Sequence, residues 1–129
     1  MRPDELVGMG YRLGGDPARH GVTDCVGLAR TVLDHYGIVT PVPKRSWYRR
    51  LRKGDTTIFP EQLRAWGVEV ETPRLGAVAL CRSETGYGLA VWWMRGWLSY
   101  REEMVHWSPP GVLDVCAIYC PSKLNSATS

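Results

Sequence analysis

The chain has 129 residues, the size of one ordinary domain. A hydrophobic share of 44% is enough for a core, and a charged share of 22% excludes a disordered polyelectrolyte. The net charge of +3 is too small to mark a dedicated nucleic-acid binder, and no apolar run is long enough to span a membrane.

The N-terminal Met1-Arg2-Pro3-Asp4-Glu5-Leu6 lacks the basic-then-apolar layout of a signal peptide, so synthesis in a cytoplasm is expected. Residues 3–9 read as a short helix, because Pro3 suits a first turn and Asp4 and Glu5 complement its dipole. Residues 10–22 read as a glycine-rich loop containing Pro17. A strong helix follows. Cys25, Leu28, Ala29, Val32, Leu33 and Tyr36 form one apolar stripe at helical spacing, with Thr23 or Asp24 as cap and Gly37 as stop. Cys25 is thereby placed on the buried face at the N-terminal end.

Residues 44–53 hold six basic side chains in ten. They read as a solvated loop or short helix, or more sharply as an anion-contact patch. In that patch Lys44, Arg45, Arg49, Arg50 and Arg52 would meet a partner, and Trp47 would stack or anchor the segment. Residues 60–66 suit a second helix, stopped by Gly67. From there the pattern is β, with strands expected over 68–71, 77–81, 89–94, 97–101 and 113–120. Arg95-Gly96 is the expected hairpin turn, Ser108-Pro109-Pro110-Gly111 a loop, and 122–129 a loose polar tail after a single domain over 1–121. Adjacent Trp92 and Trp93 must face opposite sides of a strand, so one, taken as Trp93, is expected on a binding surface. Helices first and strands after predict an α+β fold with an antiparallel sheet of about five strands.

The cysteines are Cys25, Cys81, Cys116 and Cys120. Their spacing fits no zinc pattern, and no metal or cofactor is expected. Cys116 and Cys120, four apart in a strand, are expected on one face as packed thiols. Cys25 is different. Free N–H groups and the positive dipole at a helix start stabilise a thiolate and can hold an oxyanion. Such a nucleophile also needs a base within hydrogen-bond reach. His35 lies about 15 Å along the same helix and cannot serve. His106 is expected at a sheet edge, which leaves His20, in the preceding loop, as the candidate substitute base.

The pattern Tyr11, Gly14-Gly15, Asp24-Cys25-Val26-Gly27-Leu28, Tyr36-Gly37-Ile38 and Pro43-Lys44-Arg45-Ser46 resembles the NlpC-type, papain-like cell-wall cysteine peptidases. The resemblance implies a papain-like fold, with Cys25 in the nucleophile position and Tyr11 framing the site. The family's base histidine falls at Gly88, or at Tyr87 if the register slips by one, and its third polar residue at Ser99 or Tyr100. Val26 stands where the family has serine. A framework kept while the centre is altered implies a degenerate, non-catalytic domain used as a structural or binding component in a larger protein assembly, as in a phage tail or virion. The alternatives are an active endopeptidase cutting cell-wall peptide through Cys25, and a thiol acyl transferase on the same scaffold.

Overall fold

A computed structural model describes residues 1–122. The proposed tail therefore lies, apart from Ser122, outside the described residues. The fold is α+β, and its sheet has eight strands in the order β2-β1-β7-β6-β5-β4-β8-β3. The elements run in chain order from a 3-10 turn (Pro3–Leu6) through β1 (Gly10–Tyr11), α1 (Pro17–His20), β2 (Val22–Thr23), α2 (Cys25–His35), α3 (Arg45–Arg52) and α4 (Ile58–Trp66). Six strands follow: β3 (Gly67–Val70), β4 (Val78–Ser83), β5 (Gly86–Trp93), β6 (Gly96–Arg101), β7 (Met104–Ser108) and β8 (Val115–Pro121). The sheet is mixed rather than purely antiparallel, because β1 and β2 pair in parallel.

Helix α2 forms as its sequence dictates. The Asp24 carboxylate accepts the Gly27 N–H at 2.8 Å, capping the first turn. At the other end Gly37, at φ 75°, takes the left-handed conformation that stops the helix. Its N–H reaches Asp34 O, and the Ile38 N–H reaches Leu33 O. Leu28, Val32 and Leu33 are buried against the sheet. Each contributes about 1.5–3 kcal/mol by leaving water, and Leu28→Ala should cost about 2–5 kcal/mol.

The sheet has two unlike faces. Val78, Leu80, Val91, Leu98, Val105 and Tyr119 pack with α2 and α4 in the main core. Ala77, Ala79, Ala90, Trp97 and Cys120 form a smaller cluster on the other side. Strand alternation thus assigns Leu89, Val91 and Trp93 of β5, and Leu98 and Tyr100 of β6, to the α2 face.

Three expectations are corrected here. Residues 10–22 are not all loop, since two-residue strands and a four-residue helix lie within them. Strand β7 was not foreseen; it is joined to β6 by Glu102-Glu103, both at positive φ, in place of the usual Asn or Gly. The β5–β6 turn is centred on Met94-Arg95, one residue before the expected position, because Trp93 pairs with Gly96. Gly96 belongs to β6, where the Trp107 ring covers it too closely for a side chain.

Candidate functional site

The residues that frame Cys25 are tied together by the backbone. Besides capping α2, the buried Asp24 carboxylate accepts the Gly14 N–H at 2.7 Å, so one side chain pins both the glycine loop and the helix start. The buried Thr23 hydroxyl donates to Gly15 O at 2.8 Å. A side chain on Gly15 would collide with the Val22 carbonyl, and one on Gly27 with the Thr23 hydroxyl. The motif residues around Cys25 are thus accounted for by packing and capping, whatever the thiol does.

The Cys25 sulfur sits where β5 and β6 part. Their pairing ends at Val91 and Leu98, and the Leu89 N–H beyond it turns to the sulfur, as do the N–H groups of Cys25 and Val26. These donors favour a thiolate, but they are outweighed. Burial, reinforced by the Asp24 charge, pushes the Cys25 thiol up to about 12. Sequence reasoning placed the helix dipole in control of this group; desolvation controls it instead.

Three phenols gather around the thiol from separate elements. Tyr11 of β1 stands edge-on to Tyr100 of β6, with ring centroids 5.3 Å apart, and the Tyr100 hydroxyl donates to Gly10 O at 2.9 Å. Tyr48 of α3 lies within electrostatic range of Cys25, Asp24 and Arg30. Burial, with the Asp24 and Cys25 charges adding to it, pushes Tyr48 and Tyr100 up to about 12 and raises Tyr11. All three stay protonated at neutral pH; the Tyr100 proton is committed to Gly10 O, which leaves Tyr11 and Tyr48 to donate to a carbonyl or carboxylate. Beside them Val26 and Leu89 form one wall of an apolar cavity of about 70 Å³, enclosed further by Ala29, Leu33, Leu51 and Phe59.

Each histidine is engaged elsewhere. His20 is exposed on α1, and its Nδ1 accepts the Asp16 N–H at 3.0 Å, so the substitute-base role is not supported by its position. His35 stands edge-on to Tyr36 at the far end of α2. His106 lies within β7, paired with Ser99, and not at a sheet edge.

Two further site residues are relocated. Gly88 pairs with Cys81 and shares the parity of Ala90 and Trp92, so a side chain there would point away from α2, into open space. The β5 residues on either side of it, Tyr87 and Leu89, face α2, and the Leu89 N–H is the one directed at the sulfur. Ser99 likewise faces away from Cys25, on the side of Trp97, with its buried hydroxyl lacking a hydrogen-bond partner among the described residues. Tyr100, the other residue proposed for the third polar position, is the one on the thiol's side. Alternation from Leu89 and Val91 through the hairpin to Leu98 was the available signal. Tyr48 was missed as a site residue because nothing local brings α3 to the start of α2.

The basic run forms helix α3. Trp47 is a core residue rather than a stacking platform. Arg50 is not free for a ligand: its guanidinium holds Asp55 at 2.8 Å, Glu61 at 2.9 Å and the Thr57 hydroxyl at 2.9 Å. Lys44, Arg45, Arg49, Arg52 and Lys53 are exposed. Trp93 is half-buried against the main core, whereas Trp107, which donates to Trp93 O at 3.0 Å, is the tryptophan that stands exposed. Cys120 is fully buried, but Cys116 is exposed and not a packed thiol, because a bulge in β8 breaks the alternation between them. Among the described residues no cluster of side chains suits a metal ion, and no helix is long and apolar enough to cross a membrane. The chain matches no known family model, and no curated protein matches it.

Proposed function

We propose that the chain is a catalytically degenerate, papain-like domain of the NlpC type, made in the cytoplasm and used as a structural or binding component of a larger protein assembly such as a phage tail or virion. The observation that carries this reading is the setting of Cys25. Its thiol is pushed up to about 12 by burial and by Asp24, and its electrostatic neighbours are a carboxylate and three phenols. The three phenols are raised and hold their protons at neutral pH, so they cannot take the thiol's proton, and the Asp24 carboxylate is committed to two backbone N–H groups. The Asp-Cys-x-Gly-Leu pattern on a helix packed against the sheet supports descent from the peptidases, since a fold can outlast its chemistry. The exposed cations of α3 and the exposed Trp107 are the surfaces that would dock neighbouring proteins.

The competing reading is an active cell-wall endopeptidase, favoured by the N–H groups converging on the sulfur. In it Cys25 would attack as thiolate, and the tyrosines would hold the peptide. The two readings separate by alkylation. The native protein is treated with a chloroacetamide near pH 7 and its adducts are located by mass spectrometry, alongside a peptidoglycan digestion assay. The expected result is label on the exposed Cys116, slow label on Cys25 and no digestion. Fast, selective labelling of Cys25 with release of wall peptides would overturn the proposal.

A further inference from the structure

Helices α2, α3 and α4 meet over strands β4 and β5 around the apolar cavity, where Val26, Leu33, Leu51, Phe59 and Leu63 form much of the wall. Its volume of about 70 Å³ is far below the roughly 300–1,000 Å³ of a site that encloses a whole ligand. A cavity of about 150 Å³ holds a benzene ring, so this one takes about half as much, an aliphatic group of three or four carbons. That is the size of one leucine side chain. The cavity is not sealed. Arg30, Thr40, Gln62 and Trp66 line it while only half-buried, and Pro41 beside them is exposed.

The polar residues of the lining are Arg30, Thr40 and Gln62, and Arg30 is its one charge. Arg30 Nε donates to Thr40 Oγ1 at 3.2 Å, which holds the guanidinium at the rim. The ion pairs among the described residues are made by Arg2 and Arg50, so Arg30 has no carboxylate partner there, not even Asp34 one turn further along α2. A half-buried guanidinium with its two terminal nitrogens in hand favours an incoming carboxylate, which it meets as a fork. The Gln62 amide offers an acceptor for a backbone N–H. The exposed cations of α3 add a positive field around the same mouth.

We infer that this cavity is an anchor site for the C-terminal residue of a partner protein, with a leucine side chain inside it and the terminal carboxylate on Arg30. Such a residue brings the three required features on one carbon: a branched four-carbon group, a carboxylate and a backbone N–H. An internal leucine lacks the charge. One apolar anchor in a fitted pocket can carry much of a protein contact. The choice of a chain end rests on the proposed reading of the domain as a binding component, whereas the cavity itself uses no chemistry of Cys25.

The test titrates the isotope-labelled full chain with the peptide acetyl-Gly-Ser-Gly-Leu, ending in a free carboxylate, and follows the tryptophan indole signals by NMR. Trp47 and Trp66 line the cavity, and the exposed Trp107 does not. The first two signals should move and the third should stay. Capping the carboxylate as an amide should weaken binding about tenfold, and ending the peptide in alanine should weaken it by about tenfold or more. Arg30→Met, which keeps a stem against the cavity, should bind the acid and amide peptides equally. Isocaproate carries the branched chain and the charge without the backbone N–H, and should bind more weakly than the peptide. The inference is overturned if the Trp47 and Trp66 signals stay still, if acid and amide peptides bind wild type alike, or if isocaproate matches the peptide, which would make the occupant a small acid. Its failure leaves the degenerate-domain reading intact, whereas release of leucine from the bound peptide would refute that reading and not this site.

Discussion

Asp24 holds the site together through two hydrogen bonds, and Asp24→Asn tests both its structural and its electrostatic role. Its two oxygens accept separate N–H groups, Gly14 at 2.7 Å and Gly27 at 2.8 Å, and the residue is 2% exposed. Asparagine offers one acceptor oxygen and an NH₂ group. Whichever way the amide turns, one backbone N–H faces a donor and is left buried without a partner. That costs about 1–3 kcal/mol, and the surviving bond loses its charge assistance, so a total of about 2–3 kcal/mol is expected. A domain with about 5–15 kcal/mol in hand still folds. The same change removes the second cause of the raised Cys25 thiol, leaving burial alone. Urea unfolding should show a lower midpoint at unchanged slope. Iodoacetamide should label Cys25 severalfold faster at pH 9 than in wild type, while the fully buried Cys120 stays unlabelled as a control for global opening. Wild-type stability in the variant, or an unchanged Cys25 rate, would refute the assigned role of Asp24.

Alkaline stability follows from the buried thiols. Cys25 and Cys81 rise from 9.0 in the unfolded chain to about 12 in the fold, so the unfolded state releases their protons first. Stability should be full below pH 9 and fall as pH rises toward 12, by at most about 1.4 kcal/mol per pH unit for each thiol. Urea midpoints from pH 8 to 10.5 should show the fall in wild type and a shallower one in Cys25→Ala; a flat wild-type profile would count against it. Gly27→Ala should destabilise by about 1–3 kcal/mol through collision with Thr23, although alanine normally gains about 1 kcal/mol over glycine in a helix. Adding Thr23→Ala should recover part of that loss, so strictly additive variants would contradict the packing account. Arg50→Met should lower the melting temperature by separating α3 from Asp55 and Glu61, while Arg49→Met, on the exposed side, leaves it unchanged. The Arg50 contacts hold Asp55 down at about 2, so the difference between the two variants should shrink as pH falls from 3.8 toward 2.

What could be read from the sequence is what local chemistry determines. Helix α2 shows its cap, its stripe and its stop within fifteen residues, and α4 ends at the glycine that sequence marks. The α+β class followed from the order of periods along the chain. What could not be read depends on partners distant in sequence. Strands of two residues carry no periodicity, and β1 and β2 exist because β7 and the Asp24 loop hold them. Strand β7 was hidden by a turn built from two glutamates. The bulge that exposes Cys116 leaves no mark in a run of alternating residues. The three tyrosines come from β1, α3 and β6, and only the tertiary fold brings them within electrostatic range of Cys25.

The frame and the chemistry of this site can be separated physically. Asp24 is required by two backbone donors, Thr23 by Gly15, and Gly27 by Thr23, so the pattern around Cys25 would persist under selection for folding alone. Its presence is evidence about structure. Catalysis would need something the frame does not require: a proton acceptor on the α2 face of β5. Four β5 positions offer this face, Tyr87, Leu89, Val91 and Trp93, and the one whose backbone N–H meets the sulfur is a leucine that also walls the apolar cavity. Its N–H favours the thiolate, but burial outweighs that donor, so the apolar wall and the quiet thiol go together. Leu89→His should reverse both. An imidazole at that place would bring a group titrating near 6.5 to the thiol. Alkylation of Cys25 should then acquire a rise near that pH which wild type lacks, whereas Gly88→His, facing the other way, should leave the profile unchanged. Equal profiles for the two variants would mean that the face assignment, and with it the account of why Cys25 is quiet, is wrong.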